Sequence, residues 1–174
     1  ERHAELLPDA AARARAAATA RAVAAFNRHG SDPDRFDATF APGIVAADHR
    51  TVGFGELHGR DAVLVAVRTF RDLSDDIGMR FDDILALSDH AILLRATQRG
   101  RARASGGSWE RPICSLRVHD ADGLIARWEN FEAEQEAQAL ARYDALVGSA
   151  DQALAAAEPP FANAASRAWL AAIT

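Results

Sequence analysis

Residues 44–73 read IVAADHRTVGFGELHGRDAVLVAVRTFRDL, and the fold turns on how they are read. A short apolar run from Ile44 to Ala47 breaks into three charged or titratable residues, Asp48, His49 and Arg50. Glycines at 53, 55 and 59 punctuate the loop that follows. Beyond them Val63, Ala66, Val67, Phe70 and Leu73 recur at helical spacing, which predicts a helix over 59–73 with one buried stripe. Polar side chains at the end of an apolar strand are a common way to build a small-molecule site. Neighbours in a strand alternate faces, so Asp48 and Arg50 share one side and His49 takes the other.

Past this stretch the period falls to two. Met79–Leu87, Ala91–Arg103, Trp109–His119 and Leu124–Phe131 read as strands. They are joined by turns at Ser88–His90, Ser105-Gly106-Gly107-Ser108 and Asp120–Gly123. In the third of them Trp109, Arg111, Ile113, Ser115 and Arg117 lie opposite Glu110, Pro112, Cys114, Leu116 and Val118. A polar helix over Glu132–Val147 closes the series. Ahead of residue 44, Asp9 caps an alanine-rich helix that runs to His29 and stops at Gly30. Ser31-Asp32-Pro33 leads into a short helix, Asp34–Phe40, which Ala41-Pro42-Gly43 ends before a first strand over Gly43–Arg50. Helices ahead of an antiparallel meander predict an α+β domain whose curved sheet wraps around the N-terminal helices. Residues 148–160, with Glu158-Pro159-Pro160, read as a linker. The expected organisation is a helical segment at 1–30, an α+β domain at 16–147, that linker, and a helix at 161–174 opening a further domain. A chain that begins at Glu1 reads as a piece of a larger protein.

Composition narrows the chemistry. The hydrophobic share is 49% and the formal net charge −5. All 20 basic residues are arginine, which rules out a Schiff-base lysine and a phosphate-loop lysine. The acidic balance and scattered arginines argue against nucleic acid, and Arg95, Arg99, Arg101 and Arg103 read as one face of a hairpin. A single cysteine, Cys114, allows no internal disulfide and sits in an apolar strand as a small hydrophobe. No apolar run nears the ~20 residues needed to span a bilayer, and no signal peptide is legible, so a cytoplasmic protein without membrane contact is expected. The six histidines are scattered at turns and strand ends, none paired at ligand spacing, so neither metal nor cofactor is expected. Gly53-Phe54-Gly55 lacks the strand–turn–helix setting of a dinucleotide fingerprint.

The segment Asp34–Phe40 leading into Ile44–Arg50, the helix after Gly59, and DADGLIARWENFE ending at Glu132 together carry a resemblance. Over roughly residues 16–146 the chain resembles the SnoaL-like branch of the nuclear transport factor 2-like superfamily. These are cone-shaped α+β domains that include ketosteroid isomerase, polyketide cyclases and non-catalytic binding modules. In ketosteroid isomerase the general base is an aspartate at the end of the equivalent strand, the place of Asp48 here. The resemblance puts the isomerase's tyrosine where this chain has Phe26 and Asn27, and its second aspartate near Ser115. The only tyrosine is Tyr143. A lost oxyanion donor costs ~3 kcal/mol of transition-state stabilisation. The Asp-Arg-Asp set of the superfamily's epoxide hydrolases finds no convincing place either. By the same resemblance Ala126, Trp128, Asn130 and Glu132 of the last strand face the cone, joined by Arg111, Ile113 and Ser115 of the third. The ligand-binding candidates are therefore Asp48, Arg50, Arg111, Ile113, Ser115, Trp128 and Asn130, with Asp48 the catalytic candidate. The expectation is a pocket for a small hydrophobic molecule in a regulatory or interaction module. The alternatives are an isomerase, cyclase or hydrolase using Asp48 as acid/base, and a dimerisation module pairing through its sheet.

Overall fold

A computed structural model describes residues 37–157, with side chains to residue 148, and before them only residues 13, 17, 20 and 24, each helical. The rest of the expected N-terminal helix, the start of the short helix after it, and the helix at 161–174 lie outside the described residues. Six strands and two helices follow in chain order: β1 (Phe40–Asp48), β2 (Glu56–His58), α1 (Arg60–Leu73), β3 (Ser74–Leu87), β4 (Ala91–Ala102), β5 (Ser108–His119), β6 (Ile125–Glu132) and α2 (Glu136–Ala157). The strands form one curved, unclosed sheet in the order β2-β1-β6-β5-β4-β3. The expected meander β3 to β6 is antiparallel throughout. β1 adds itself in parallel to β6, so the sheet is mixed.

Several boundaries move, each for a local reason. Only Asp37–Thr39 of the expected short helix is helical among the described residues, as a 3₁₀ turn, and Phe40 already belongs to β1. Ala41-Pro42-Gly43 does not end a helix but lies inside that strand. Pairing with β6 jumps there from Phe40–Ile125 to Val45–Arg127, and an irregularity of this kind accommodates a proline that cannot donate to the ladder. Glu56–His58, expected as loop, pairs with Val45–Ala47 as β2. Gly59, at φ 83°, turns the chain from β2 into α1, a conformation costly for any residue with a Cβ. β3 begins at Ser74 directly after α1, because Ser74 and Asp75 pair with Ala102 and Arg101 ahead of an irregularity that ends at Gly78. α2 runs on to Ala157, across the first ten residues of the stretch expected as a linker.

Each sheet face carries its own core. On one, Phe40, Ile44, Ala46, Ile125 and Trp128 pack with Val63 and Leu64 of α1. On the other, Leu93, Cys114, Leu116 and Phe131 pack with Ala139 and Tyr143 of α2. Cys114 is fully buried, and burial pushes its thiol pKa up, away from thiolate chemistry. In the turn before β6, the Asp120 Oδ1 accepts the N–H groups of Asp122 and Leu124 at 3.0 and 2.9 Å, and Gly123 supplies a φ of 80°.

Candidate functional site

α1 is fully buried against the sheet only over its first turns, at Val63 and Leu64. Its later apolar residues, expected to complete a packed stripe, fall short of full burial, though Val67 packs on the same core and Phe70 meets Trp109 edge-on at 5.8 Å. Ala66, Val67, Phe70 and Leu73 instead line a cavity of about 570 Å³ between helix and strands, and Leu73 is 64% exposed. Phe54 and Leu57 from the glycine loop and β2, Met79 from β3 and Trp128 from β6 continue the apolar wall. A volume of this size suits a drug-sized molecule.

Trp128 is fixed on several sides. Phe40 stacks on it at 6.0 Å, and Phe54 leans against it at 5.9 Å. Its indole N–H donates to Asn130 Oδ1 at 3.0 Å and to Ser115 Oγ at 3.2 Å. An indole with its one donor engaged presents only apolar area to whatever fills the space.

The polar end of the cavity gathers Asp48, Arg50, Gln98, Arg111 and Asn130. Asp48 is the sole carboxylate among the lining residues described. Arg50, just past β1, folds back so that Nε reaches Oδ1 and Nη2 reaches Oδ2, both at 2.6 Å. Neither side chain is open to solvent, at 0% for Asp48 and 6% for Arg50. The backbone N–H groups of Arg50 and Phe54 approach the same carboxylate at 3.3 and 3.4 Å. Two-point guanidinium pairing in a dry site is among the stronger polar interactions a protein makes. It also takes up two of the carboxylate's roughly four acceptor positions. Gln98 Oε1 accepts from Arg50 Nη1 at 3.2 Å and from Arg111 Nη2 at 3.1 Å, bridging the two guanidinium groups. Burial, and then repulsion from Arg50, draws the Arg111 pKa below the ordinary arginine range.

His49 turns the other way. Its ring stacks on Phe131 at 4.4 Å, and Nε2 lies 2.9 Å from Glu129 Oε2, on the α2 side of the sheet. Five of the seven candidate ligand residues, Asp48, Arg50, Arg111, Trp128 and Asn130, lie in the cavity wall. Ile113 and Ser115 share their face but not the wall. Both are fully buried, and Ser115 acts from behind, through the Trp128 N–H. Asp48 pairs with Arg50 rather than with Arg111. Gln98, Phe54 and Met79 were not among the sequence candidates. A signal for Gln98 existed: it ends the alternation Ile92, Leu94, Ala96, and it sits directly opposite Arg111 in the β4–β5 pairing.

Comparison with known proteins fits this architecture. The family model of the SnoaL-like domain matches residues 19–128, and the chain belongs to that family. Among curated proteins nothing matches. Solved structures share the fold at low identity. A Mycobacterium tuberculosis LEH-like epoxide hydrolase is 21% identical over 76% of this chain and 97% of its own, with a TM-score of 0.54. Another M. tuberculosis protein, solved in complex with estradiol-17β-hemisuccinate, is 14% identical over 66% of this chain and 92% of its own, at 0.56. A computationally designed 17-OHP binder gives the same figures, 14%, 66%, 92% and 0.56.

Proposed function

We propose that this domain binds a small, largely apolar molecule in the cavity beneath α1, and that it serves as a ligand-responsive module rather than as a catalyst. The observation that carries the reading is an apolar cavity whose only described carboxylate is locked to Arg50 through both oxygens. A carboxylate so held is tied down by its neighbour, while the walls offer the mix of apolar area and a few fixed polar groups that ligand sites use. That structural neighbours include proteins with steroid-type ligands supports the same class of molecule here.

The rival is an enzyme in which Asp48 moves a proton, favoured by that residue's place in the cavity wall. A panel of neutral steroids and fused-ring ketones separates the two. Binding should appear in calorimetry with a negative heat-capacity change, the mark of buried apolar area. It should also perturb an indole emission that is lost in Trp128→Phe, and no panel member should be turned over. A turnover abolished by Asp48→Asn would establish the enzyme instead, and a panel that neither binds nor reacts would remove both readings.

A further inference from the structure

The hydrogen-bonding capacity left over at the polar end is of one kind. Asp48, the acceptor of the group, has both oxygens engaged by Arg50 and further approached by backbone N–H groups. Gln98 uses its carbonyl oxygen on two guanidinium groups, and the reverse orientation would set an NH2 against two donors. Its NH2 is therefore the part that can serve a ligand. Asn130 gives its oxygen to the Trp128 indole N–H, which leaves its NH2 in the same position. Arg111 donates one N–H to Gln98, and its buried Nε has no hydrogen-bond partner. Charge points the same way. Asp48 is matched by Arg50, and among the described residues no carboxylate pairs with Arg111. Glu132, which Arg111 also feels, is turned instead to the Thr51 N–H at 3.1 Å and to the backbone of the turn leading into α2.

We propose that the cavity selects amphipathic anions: an apolar body against Phe54, Val67, Phe70 and Trp128, ending in a carboxylate that docks on the Arg111 guanidinium and the Gln98 and Asn130 amides. The proposal rests on the cavity being a ligand site and adds the ligand's charge and orientation. A carboxylate offers about four acceptor positions and one negative charge, which complements a cluster of free donors beside an unpaired cation. A neutral molecule of the same shape would leave the half-buried Arg111 without a carboxylate partner.

The test uses the whole chain and two probes of equal shape, 1-naphthylacetate and 1-naphthylacetamide, titrated calorimetrically at neutral pH. The carboxylate should bind roughly tenfold or more tightly than the amide, and the margin should narrow at high salt. In Arg111→Gln the carboxylate should lose that margin, falling further than the amide does. Equal affinity of the two probes for the wild-type protein would overturn the proposal and leave the ligand-binding reading standing. Failure of both probes to bind would remove the two together. Should the variant fail to fold, the wild-type preference and its salt dependence still decide the matter. A carboxylate loss no larger than the amide's in a folded Arg111→Gln would refute docking at Arg111.

Discussion

At the scale of single residues, the pairing of Asp48 with Arg50 makes the sharpest prediction. Both side chains are shielded from water, so removing one charge strands the other in a site with little solvent to receive it. Asp48→Asn should lower stability by on the order of 3 kcal/mol in a denaturant titration, a cost far above the ~1 kcal/mol or less of an exposed pair. A loss no larger than that of an exposed pair would mean the carboxylate is not the main support of Arg50. The sides taken here were legible from a period of two, which throws residue 49 to the face opposite 48, where His49 meets Phe131 and Glu129, whereas Arg50 lies just past β1 and reaches Asp48 by folding back. Parity says nothing about distance along the sheet's curvature. Ile113 and Ser115 therefore shared the right face yet lie behind the wall.

At the scale of elements, the loop between β1 and β2 holds the site's geometry. Gly53 passes so close to Asp48 that a Cβ there would lie 2.4 Å from the carboxylate carbon and 2.8 Å from each oxygen. Gly53→Ala should therefore push the carboxylate off Arg50 and disturb the polar end of the cavity. The expected cost is about 1–3 kcal/mol, with ligand affinity falling alongside stability. Unchanged binding and stability would show that the loop gives way freely. The glycines announced a loop but not that three of its residues pair as β2, because a short strand on a sheet edge carries no run of alternating residues. Pro42-Gly43 misled for a related reason: its usual reading as a helix stop was overridden by β6, which supplies the neighbour for a bulged strand. The long helix α2 was cut short in the sequence reading at Gly148, since its alanine-rich continuation has little amphipathic pattern to follow.

At the scale of the whole molecule, the sheet divides two environments, one facing α1 and the cavity and the other facing α2. The buried titratable groups of that sheet tie its stability to pH. Glu129 is fully buried between β6 and α2. Burial works to raise its pKa, while hydrogen bonds from Arg142, Arg127 and His49 outweigh this and bring it below the usual carboxylate range. The contribution of Glu129 is thus fully present above the ordinary carboxylate pKa of 4.5 and is lost as pH falls from there through its lowered folded value. His119 acts earlier. It is 4% exposed, and burial, then the nearby Arg117 guanidinium, lowers its pKa from 6.5 to about 4. The unfolded chain binds a proton at this residue before the folded one does. Its contribution is therefore fully present above about pH 6.5 and is lost as pH falls from there toward 4. At about 1.4 kcal/mol per unit the loss is on the order of 3 kcal/mol. Denaturant titrations from pH 7.5 to 4 should show stability falling through this window, and His119→Gln should flatten the fall by most of that amount. An equally steep fall in the variant would assign the acid sensitivity to other groups and leave His119 a neutral spectator of the fold.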